Sequence, residues 1–204
     1  MSRSPRVAAL LDAAVSVIAA EGLRGLTHRA VDARANVPVG STSYYFRTRE
    51  KLLTGVVALI AEEELADIAQ AEVAEEFASA PPVRQVADRF AGVLAHWLGP
   101  ERERTRARLE ILLTAGRPDD ETGTELRRAR ERFVEQARLL AAGLGSRNPV
   151  EGGRIVVAFA EGLTYDGVVR PGPDTTDRAT LRRALETVLT ALAAPQGAGA
   201  EEGG

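Results

Sequence analysis

The chain has 204 residues, of which 45% are hydrophobic and 27% are charged, and its formal net charge is −3. This composition predicts a soluble globular protein, and no run of about 18 or more apolar residues indicates a membrane span. The absence of cysteine excludes disulfides, thiolate metal sites and a cysteine nucleophile, and a cytoplasmic protein is expected. The amphipathic N-terminal segment lacks a small-residue cleavage site, so we interpret it as a helix and not as a signal peptide.

Charge is distributed unevenly along the chain. Residues 1–53 carry eight basic and four acidic side chains, whereas the remaining residues carry 18 basic and 25 acidic ones. A basic N-terminal segment on an acidic body predicts that a polyanionic partner binds the N-terminal segment only.

The N-terminal segment begins with the pattern of two helices. Apolar residues recur at helical spacing over 7–18, and Gly22 is expected to end that helix. Thr27 is the predicted N-cap of a short helix over 28–34.

A tight turn and a second short helix are predicted next. Asn36 tolerates the left-handed conformation and is expected at the turn, and Pro38 suits the first turn of a helix over 38–44. Thr48 is the predicted cap of a longer helix, with Arg47 and Arg49 at its N-terminus. Cations are unfavourable there unless a bound phosphate compensates them. Two short helices around a tight turn are typical of a helix-turn-helix, which places one helix in the DNA major groove.

The rest of the chain is predicted to be helical. The expected helices cover 49–77, 83–98, 101–115, 124–144, 154–169 and 176–194. The sequence therefore predicts an all-α fold of about nine helices, with an N-terminal three-helix head and a larger helical body. The predicted domains are a helix-turn-helix DNA-binding domain (1–53), a helical ligand-binding and dimerisation domain (54–194) and a disordered tail (195–204).

Two sets of charged residues in the body carry specific expectations. The alternation of Arg102, Arg104, Arg106 and Arg108 with glutamates predicts a solvated, salt-bridged helix face. Glu161 and Asp166 lie within or at the end of the apolar helix over 154–169. They are candidates for holding a cationic ligand, for dimer hydrogen bonds, or for a solvent-exposed edge.

Residues 6–55 resemble the DNA-binding domain of the TetR family of transcriptional regulators. The matching residues are the stripe of the first helix, Gly22-Leu23, Leu26-Thr27, Ala35-Asn36-Val37, Gly40-Ser41, Phe46, Thr48-Arg49-Glu50 and Leu52-Leu53. The body resembles the family only in length and helical architecture. The resemblance implies a homodimeric repressor, without cofactor, metal or catalytic residues, that a small-molecule ligand releases from a palindromic operator in double-stranded DNA.

The resemblance also implies which residues touch DNA. Thr27, Arg29, Tyr45 and Arg49 would contact phosphates or a base edge, and Arg3 and Arg6 could reach the DNA from the N-terminal arm. The predicted DNA-binding residues are Thr27, His28, Arg29, Pro38, Val39, Gly40, Ser41, Ser43, Tyr44, Tyr45 and Arg49.

Three positions depart from the family pattern. Asn36 stands where glycine is usual, which is conformationally acceptable. Thr42 and Ser43 stand where Leu-Tyr is common, so Thr42 is expected to weaken the local core and Ser43 removes an aromatic contact. Sequence discrimination is therefore expected to depend on apolar contacts, small hydroxyls and DNA shape.

The body is expected to pair two heads and to enclose a pocket. The helices over 154–169 and 176–194 are the predicted dimer interface, where two helices from each chain would form a four-helix bundle. The predicted pocket walls are Phe90, Leu94, Trp97, Leu109, Leu112, Phe133, Phe159 and Tyr165.

Two other classes of function remain open from the residues alone. One is a helical small-molecule-binding or scaffold protein whose helix-turn-helix does not bind DNA specifically. The other is an all-α enzyme. His28 and His96 lie far apart, and no Glu-x-x-His or His-x-x-x-His pair is present, so metal catalysis in a helical bundle lacks ligands.

Overall fold

The architecture is all-α, as predicted. The computed structural model describes residues 4–71, 82–114 and 120–193, and within these ranges it contains ten helices and no strand. The helices are α1 (Pro5–Gly25), α2 (His28–Arg34), α3 (Ser41–Tyr45), α4 (Arg49–Gln70), α5 (Val83–Leu98), α6 (Arg102–Thr114), α7 (Glu121–Gly143), α8 (Pro149–Val169), α9 (Pro173–Thr176) and α10 (Arg178–Ala193).

The described residues fall into two compact units. Unit 1 combines residues of Met1–Ala66 and His96–Glu131, and unit 2 combines residues of Asp67–Ala95 and Arg132–Gly204. Division by packing thus differs from the functional boundary predicted at residue 53, which stays a prediction. The predicted tail over 195–204 and the end of the helix predicted over 49–77 lie outside the described residues.

The core of unit 1 joins the head to α6. The stripe of α1 is buried, and it shares one apolar cluster with the first turns of α4 and with the inner face of α6. The central members of this cluster are Leu10, Leu11, Ala14, Ile18, Leu26, Val31, Leu52, Val56, Ile60, Ala107 and Ile111. Burial of such side chains is the main stabilising contribution to helix packing. The head is therefore packed against a helix that is distant from α1 in the sequence.

Unit 2 is built around α10 and the close approach of two helices. Leu181, Leu185 and Leu189 form the buried stripe of α10. A Cβ on Gly153 of α8 would lie 2.7 Å from the backbone nitrogen of Arg138, so the two backbones of α7 and α8 meet with no side chain between them.

Several helix boundaries differ from the predictions. The chain kinks at Gly22, where φ is 69°, but the helix resumes and α1 ends at Gly25. The helix predicted over 154–169 begins earlier, at Pro149, because the Asn148 side chain accepts a hydrogen bond from the Glu151 amide and caps it. The short helix α9 was not predicted.

The face of α6 predicted to be solvated is partly buried. Arg104 is buried and Arg108 is largely buried, whereas Arg106 is exposed. The two buried guanidinium groups find acidic partners on α4, with Arg104 Nη1 lying 3.2 Å from Glu63 Oε2 and Arg108 Nε lying 3.1 Å from Glu64 Oε1. The prediction of a salt-bridged face is confirmed, since Arg104 Nη1 also lies 3.8 Å from Glu101 Oε2. The prediction of a solvated face is wrong at Arg104 and Arg108, because alternation along one helix cannot reveal carboxylates on another.

No helix in the described ranges is both long enough and apolar enough to cross a membrane.

Candidate DNA-binding surface

Local capping interactions build α2 and the turn that follows it. The Thr27 hydroxyl accepts a hydrogen bond of 3.1 Å from the Ala30 amide, which confirms the predicted cap of α2. Asn36 has a φ of 52° at the predicted turn. Left-handed backbone at this position reverses the chain between the two short helices.

The third helix is shorter than predicted. It begins at Ser41 and not at Pro38, because Gly40 adopts a left-handed conformation with a φ of 98°. The Pro38 carbonyl accepts a hydrogen bond of 3.1 Å from the Ser41 amide and one of 2.6 Å from the Ser41 hydroxyl. Residues 38–40 thus form a projecting corner in front of α3.

A buried carboxylate connects α2 to the start of α3. Asp32 is only 2% exposed. Its Oδ2 accepts a hydrogen bond of 2.7 Å from the Gly40 amide, and its Oδ1 accepts bonds of 2.7 Å from the Thr42 amide and 2.6 Å from the Thr42 hydroxyl. Gly40, the N-cap of α3, has no side chain, so Asp32 supplies the capping carboxylate from the preceding helix.

Asp32 and Thr42 correct one expectation from the sequence. Thr42 is fully buried, and its hydroxyl is satisfied by Asp32, so it does not simply weaken the core. Burial acts to raise the pKa of Asp32, but the hydrogen bonds from Thr42 and Gly40, with the nearby His28, outweigh burial and leave that pKa below its ordinary value. Asp32 was not among the residues predicted from the sequence. The available signal was Thr42, a polar residue at a position where leucine is common in the family.

The corner and α3 present apolar and aromatic side chains to solvent. Val39 is 81% exposed and Tyr44 is 71% exposed. The rings of Tyr44 and Tyr45 meet edge to face, with centroids 5.0 Å apart. The other exposed members of the predicted DNA-binding set are Thr27, Arg29, Pro38, Gly40, Ser43, Tyr45 and Arg49, whereas His28 and Ser41 are half-buried. Most of the predicted set is therefore accessible to solvent, and its contact with DNA stays a prediction.

His28 has a partner within the head. Its Nε2 lies 2.7 Å from the Phe46 carbonyl oxygen. Because a carbonyl oxygen can only accept, Nε2 carries the proton and donates. This bond links the start of α2 to the end of α3, which gives His28 a positioning role that the sequence did not predict.

The predicted cationic contacts differ in their surroundings. Arg49 Nε donates a hydrogen bond of 3.0 Å to the Leu26 carbonyl, and its Nη2 donates to the Leu23 carbonyl. The side chain therefore connects the N-terminus of α4 to the end of α1, and its predicted phosphate contact stays a prediction. Arg29 and Arg6 are exposed, and Arg3 lies outside the described residues.

The predicted pocket walls are distributed over both units. Trp97, Leu109 and Leu112 belong to unit 1, and the other five belong to unit 2. The buried members are Phe90, Leu94, Trp97 and Leu109; Phe133 and Phe159 are half-buried. Leu112 and Tyr165 are exposed in the single chain, and their place in a pocket wall stays a prediction.

The two acidic residues of α8 that the sequence singled out lie in different surroundings. Arg170 Nε donates a hydrogen bond of 2.6 Å to Asp166 Oδ1, so Asp166 is held by an ion pair at the end of α8. Glu161 is half-buried.

An exposed row of small and apolar residues runs along α8 at spacings of three and four residues. Its members are Ile155, Ala158, Gly162, Tyr165 and Val169.

Two family models match the chain. One, described as bacterial regulatory proteins of the tetR family, matches residues 10–56. The other, described as the C-terminal domain of tetracyclin repressor-like proteins, matches residues 81–191. No curated protein sequence matches the chain.

Solved structures resemble the chain over nearly its whole length. A TetR-family member from Streptomyces coelicolor A3 is 26% identical, with a TM-score of 0.70 over 90% of this chain and 98% of that one. The multidrug binding protein EbrR in complex with ethidium is also 26% identical, with a TM-score of 0.65 over 92% and 99% of the two chains. EbrR in complex with malachite green is 26% identical, with a TM-score of 0.66 over 91% and 98%.

Proposed function

The chain belongs to the TetR family of transcriptional regulators, and from that premise we propose that it acts as a homodimeric repressor that a small molecule releases from a palindromic operator. Family membership makes the protein a DNA-binding transcriptional regulator and not an enzyme. The proposed parts are dimerisation, repression, the effector and a cytoplasmic site of action, where a bacterial chromosome lies. The division of labour between a DNA-binding segment (1–53) and an effector and dimerisation segment (54–194) is proposed as well.

The observation that carries the DNA-binding part is the exposed corner in front of α3. Val39 and Tyr44 are large apolar side chains in contact with solvent, and they lie beside small residues that allow a backbone to approach closely. Apolar side chains and small hydroxyls can read thymine methyl groups and base edges in the major groove. Arg29 and the hydroxyl of Tyr45 are proposed to position the head on the phosphates.

The exposed row of α8 supports pairing with a second copy. Five small or apolar residues at heptad spacing on one helix face form the pattern of a helix–helix seam. Ala158 and Gly162 leave room at its centre for a second helix. Two heads joined in this way would read half-sites separated by about 34 Å or a multiple of it.

The proposed effector is an aromatic cation. EbrR, which is similar over nearly the whole chain, binds ethidium and malachite green, both of which are aromatic cations. Aromatic side chains stabilise such ligands through cation–π contacts, and an acidic residue such as Glu161 would add charge complementarity.

DNA binding is tested by selecting genomic fragments that the protein retains, followed by affinity measurements on the selected sequence. We expect a palindromic site and a loss of affinity of about tenfold in Arg29→Ala, with Tyr45→Phe weaker than wild type as well. Arg106→Ala, which removes the same charge from an exposed position of α6, is the matched control and should bind like wild type. Retention of no fragment at low salt would overturn the proposal.

Pairing is tested by sedimentation of Ala158→Arg. A dimer in the wild type that dissociates in this variant supports the proposed interface, because a cation would be placed in the seam. Leu139→Arg, an exposed apolar position on α7, is the matched control and should remain dimeric. A monomeric wild type would contradict the proposal.

The effector is tested by titrating ethidium and malachite green into the complex of protein and selected DNA. Release of DNA at a concentration that also quenches Trp97 fluorescence supports the proposed class. A neutral planar aromatic compound is the control ligand. If neither cation binds the protein nor releases the DNA, the proposed effector chemistry is wrong, while the DNA-binding part stands.

A further inference from the structure

We propose that Asp32 is a positioning residue for DNA recognition, which sets the place of the corner at residues 38–40 and of α3 without touching the DNA. The inference rests on the proposed use of α3 and the corner as the base-reading surface. It adds a residue that belongs to α2, ten positions before the one it binds on α3.

Asp32 collects hydrogen bonds from the whole segment between α2 and α3. Its main-chain carbonyl accepts a bond of 3.0 Å from the Val37 amide, at the start of the turn. Its carboxylate accepts from the Gly40 amide at the corner and from the amide and hydroxyl of Thr42 in the first turn of α3. One residue therefore binds the start of the turn at Val37, the corner at Gly40 and the first turn of α3 at Thr42.

The carboxylate is held by neutral donors. Asp32 is 2% exposed, and it forms no salt bridge within the described residues. Amide donors point along fixed backbone directions, so their bonds to the two oxygens define the position of Gly40 relative to Thr42. A lysine or arginine partner would hold the carboxylate without fixing the backbone of the turn.

The bond from Gly40 to Asp32 determines where the corner at residues 38–40 lies. Gly40 is left-handed, with a φ of 98°, and a Cβ there would meet nothing within 4 Å. Open space therefore lies on the side of Gly40 where a Cβ would stand, and the bond to Asp32 Oδ2 is its side-chain anchor. Val39, next to it, is the most exposed large apolar residue of the head. A shift of this anchor would move Val39 and the exposed face of α3 relative to a groove.

The bonding pattern predicts how substitutions differ. Asp32→Asn keeps the size of the side chain, but its amide nitrogen would face either the Gly40 amide or the donors of Thr42, so two donors would meet. Thr42→Val removes one of the three side-chain bonds to Asp32, and Thr42→Ser keeps all three.

The experiment compares affinity for the selected operator with affinity for unrelated DNA at one salt concentration. We expect Asp32→Asn to lower operator affinity by about tenfold or more, the scale of losing one base contact, and to change affinity for unrelated DNA by about twofold or less. Thr42→Val should lose part of the discrimination, and Thr42→Ser should restore it.

The matched control is Thr105→Val. Thr105 is a second fully buried threonine of unit 1, and its hydroxyl donates a bond of 2.7 Å to the Trp97 carbonyl on α5. Its loss should lower stability while leaving the ratio of operator affinity to unrelated-DNA affinity unchanged. Equal changes of that ratio in Thr42→Val and Thr105→Val would show a merely structural role and overturn the inference.

Each outcome separates the two proposals. Wild-type protein that selects no DNA refutes the proposed function. Wild-type protein that selects an operator, with a folded Asp32→Asn variant that discriminates equally well, refutes only the positioning role. If Asp32→Asn does not fold, the comparison of Thr42→Val with Thr42→Ser decides, and equal discrimination by those two variants overturns the inference.

Discussion

Asp32 and Glu64 are both buried carboxylates of unit 1, but they are held in opposite ways. Asp32 accepts hydrogen bonds from the amides of Gly40 and Thr42 and from one hydroxyl. Glu64, which is fully buried on α4, lies 3.1 Å from the guanidinium nitrogen Nε of Arg108 on α6. The first carboxylate bonds to backbone, and the second pairs with a charge at the end of a long side chain.

Further charged residues lie near the pair of Glu64 and Arg108. Glu63, next to it on α4, lies 3.2 Å from Arg104, which is also 3.8 Å from Glu101. The Arg108 guanidinium lies 5.9 Å from the ring centroid of Trp97. Both kinds of bond are directional, but the amide donors belong to the backbone of the turn, whereas the guanidinium is carried by a side chain with several rotatable bonds. We infer that Asp32 determines local shape and that the pairs between α4 and α6 determine how strongly those helices adhere.

The largest expected effect comes from breaking the pair between α4 and α6. Arg108→Met leaves the Glu64 carboxylate without its guanidinium partner in a buried place, and we expect a loss of about 3–5 kcal/mol in the free energy of unfolding. Denaturant titration measures it. The double variant with Glu64→Leu removes both charges and should recover most of the loss. A single variant within about 1 kcal/mol of wild type would mean that the pair is not tightly coupled.

A smaller effect is expected from the backbone of the corner. Gly40→Ala places a Cβ on a left-handed residue, which costs about 1–2 kcal/mol of stability. Gly145, with a φ of 80° and nothing within 4 Å of its Cβ position, is the matched control in unit 2. Both alanine variants should lose similar stability in thermal unfolding, and only Gly40→Ala should lose operator affinity. Equal operator affinities would contradict a geometric role for the corner.

The two kinds of environment should also respond to acid with opposite signs. The pKa of Asp32 lies below its ordinary value of 3.8, so the stability that its carboxylate contributes is present above pH 3.8 and is lost as the pH falls through the lower folded value. Burial raises the pKa of Glu63 above 4.5, although Arg104 acts against it, so folding is favoured as the pH falls through that raised value.

Unfolding measured against pH in matched variants checks these signs. The advantage of wild type over Asp32→Asn should shrink below pH 3.8. The free energy of unfolding of the wild type should rise relative to that of Glu63→Gln as the pH falls towards 4.5. Parallel curves for wild type and both variants would show that neither carboxylate is linked to folding.

The smallest effect is expected from an exposed pair in the same unit. Lys51 Nζ lies 3.3 Å from Glu121 Oε1, but the two side chains are 55% and 50% exposed. Glu121→Gln should change the free energy of unfolding by about 0.5 kcal/mol or less, because solvent and salt screen such pairs. A loss comparable to that of Arg108→Met would remove the distinction between buried and exposed pairs.

Local features of the head could be predicted because both partners of each interaction lie within a few residues. Thr27 and Thr48 cap their helices, and Asn36 takes the left-handed turn, as the sequence predicted. The all-α fold was predictable for the same reason, since helical periodicity records which face of each helix is buried. The family resemblance in the head depended on these same local positions.

Only the tertiary structure decided which polar groups from distant parts of the chain meet. Arg49 donates to carbonyls 23 and 26 positions earlier in the chain, and Arg104 pairs with a carboxylate 41 positions earlier. Alternating charges on α6 indicated a solvated face, but α4 packs against part of that face and supplies carboxylate partners for its arginines.

The sequence by itself therefore determined the all-α class, the caps of α2 and α4 and the family. The roles of Arg49 and Arg108 depended on the packing of segments that are distant in the chain, and the role of Asp32 depended on how two consecutive short helices pack. Periodicity and capping are local properties of a segment, whereas a buried hydrogen bond or ion pair exists only when the fold brings donor and acceptor together and excludes water from both.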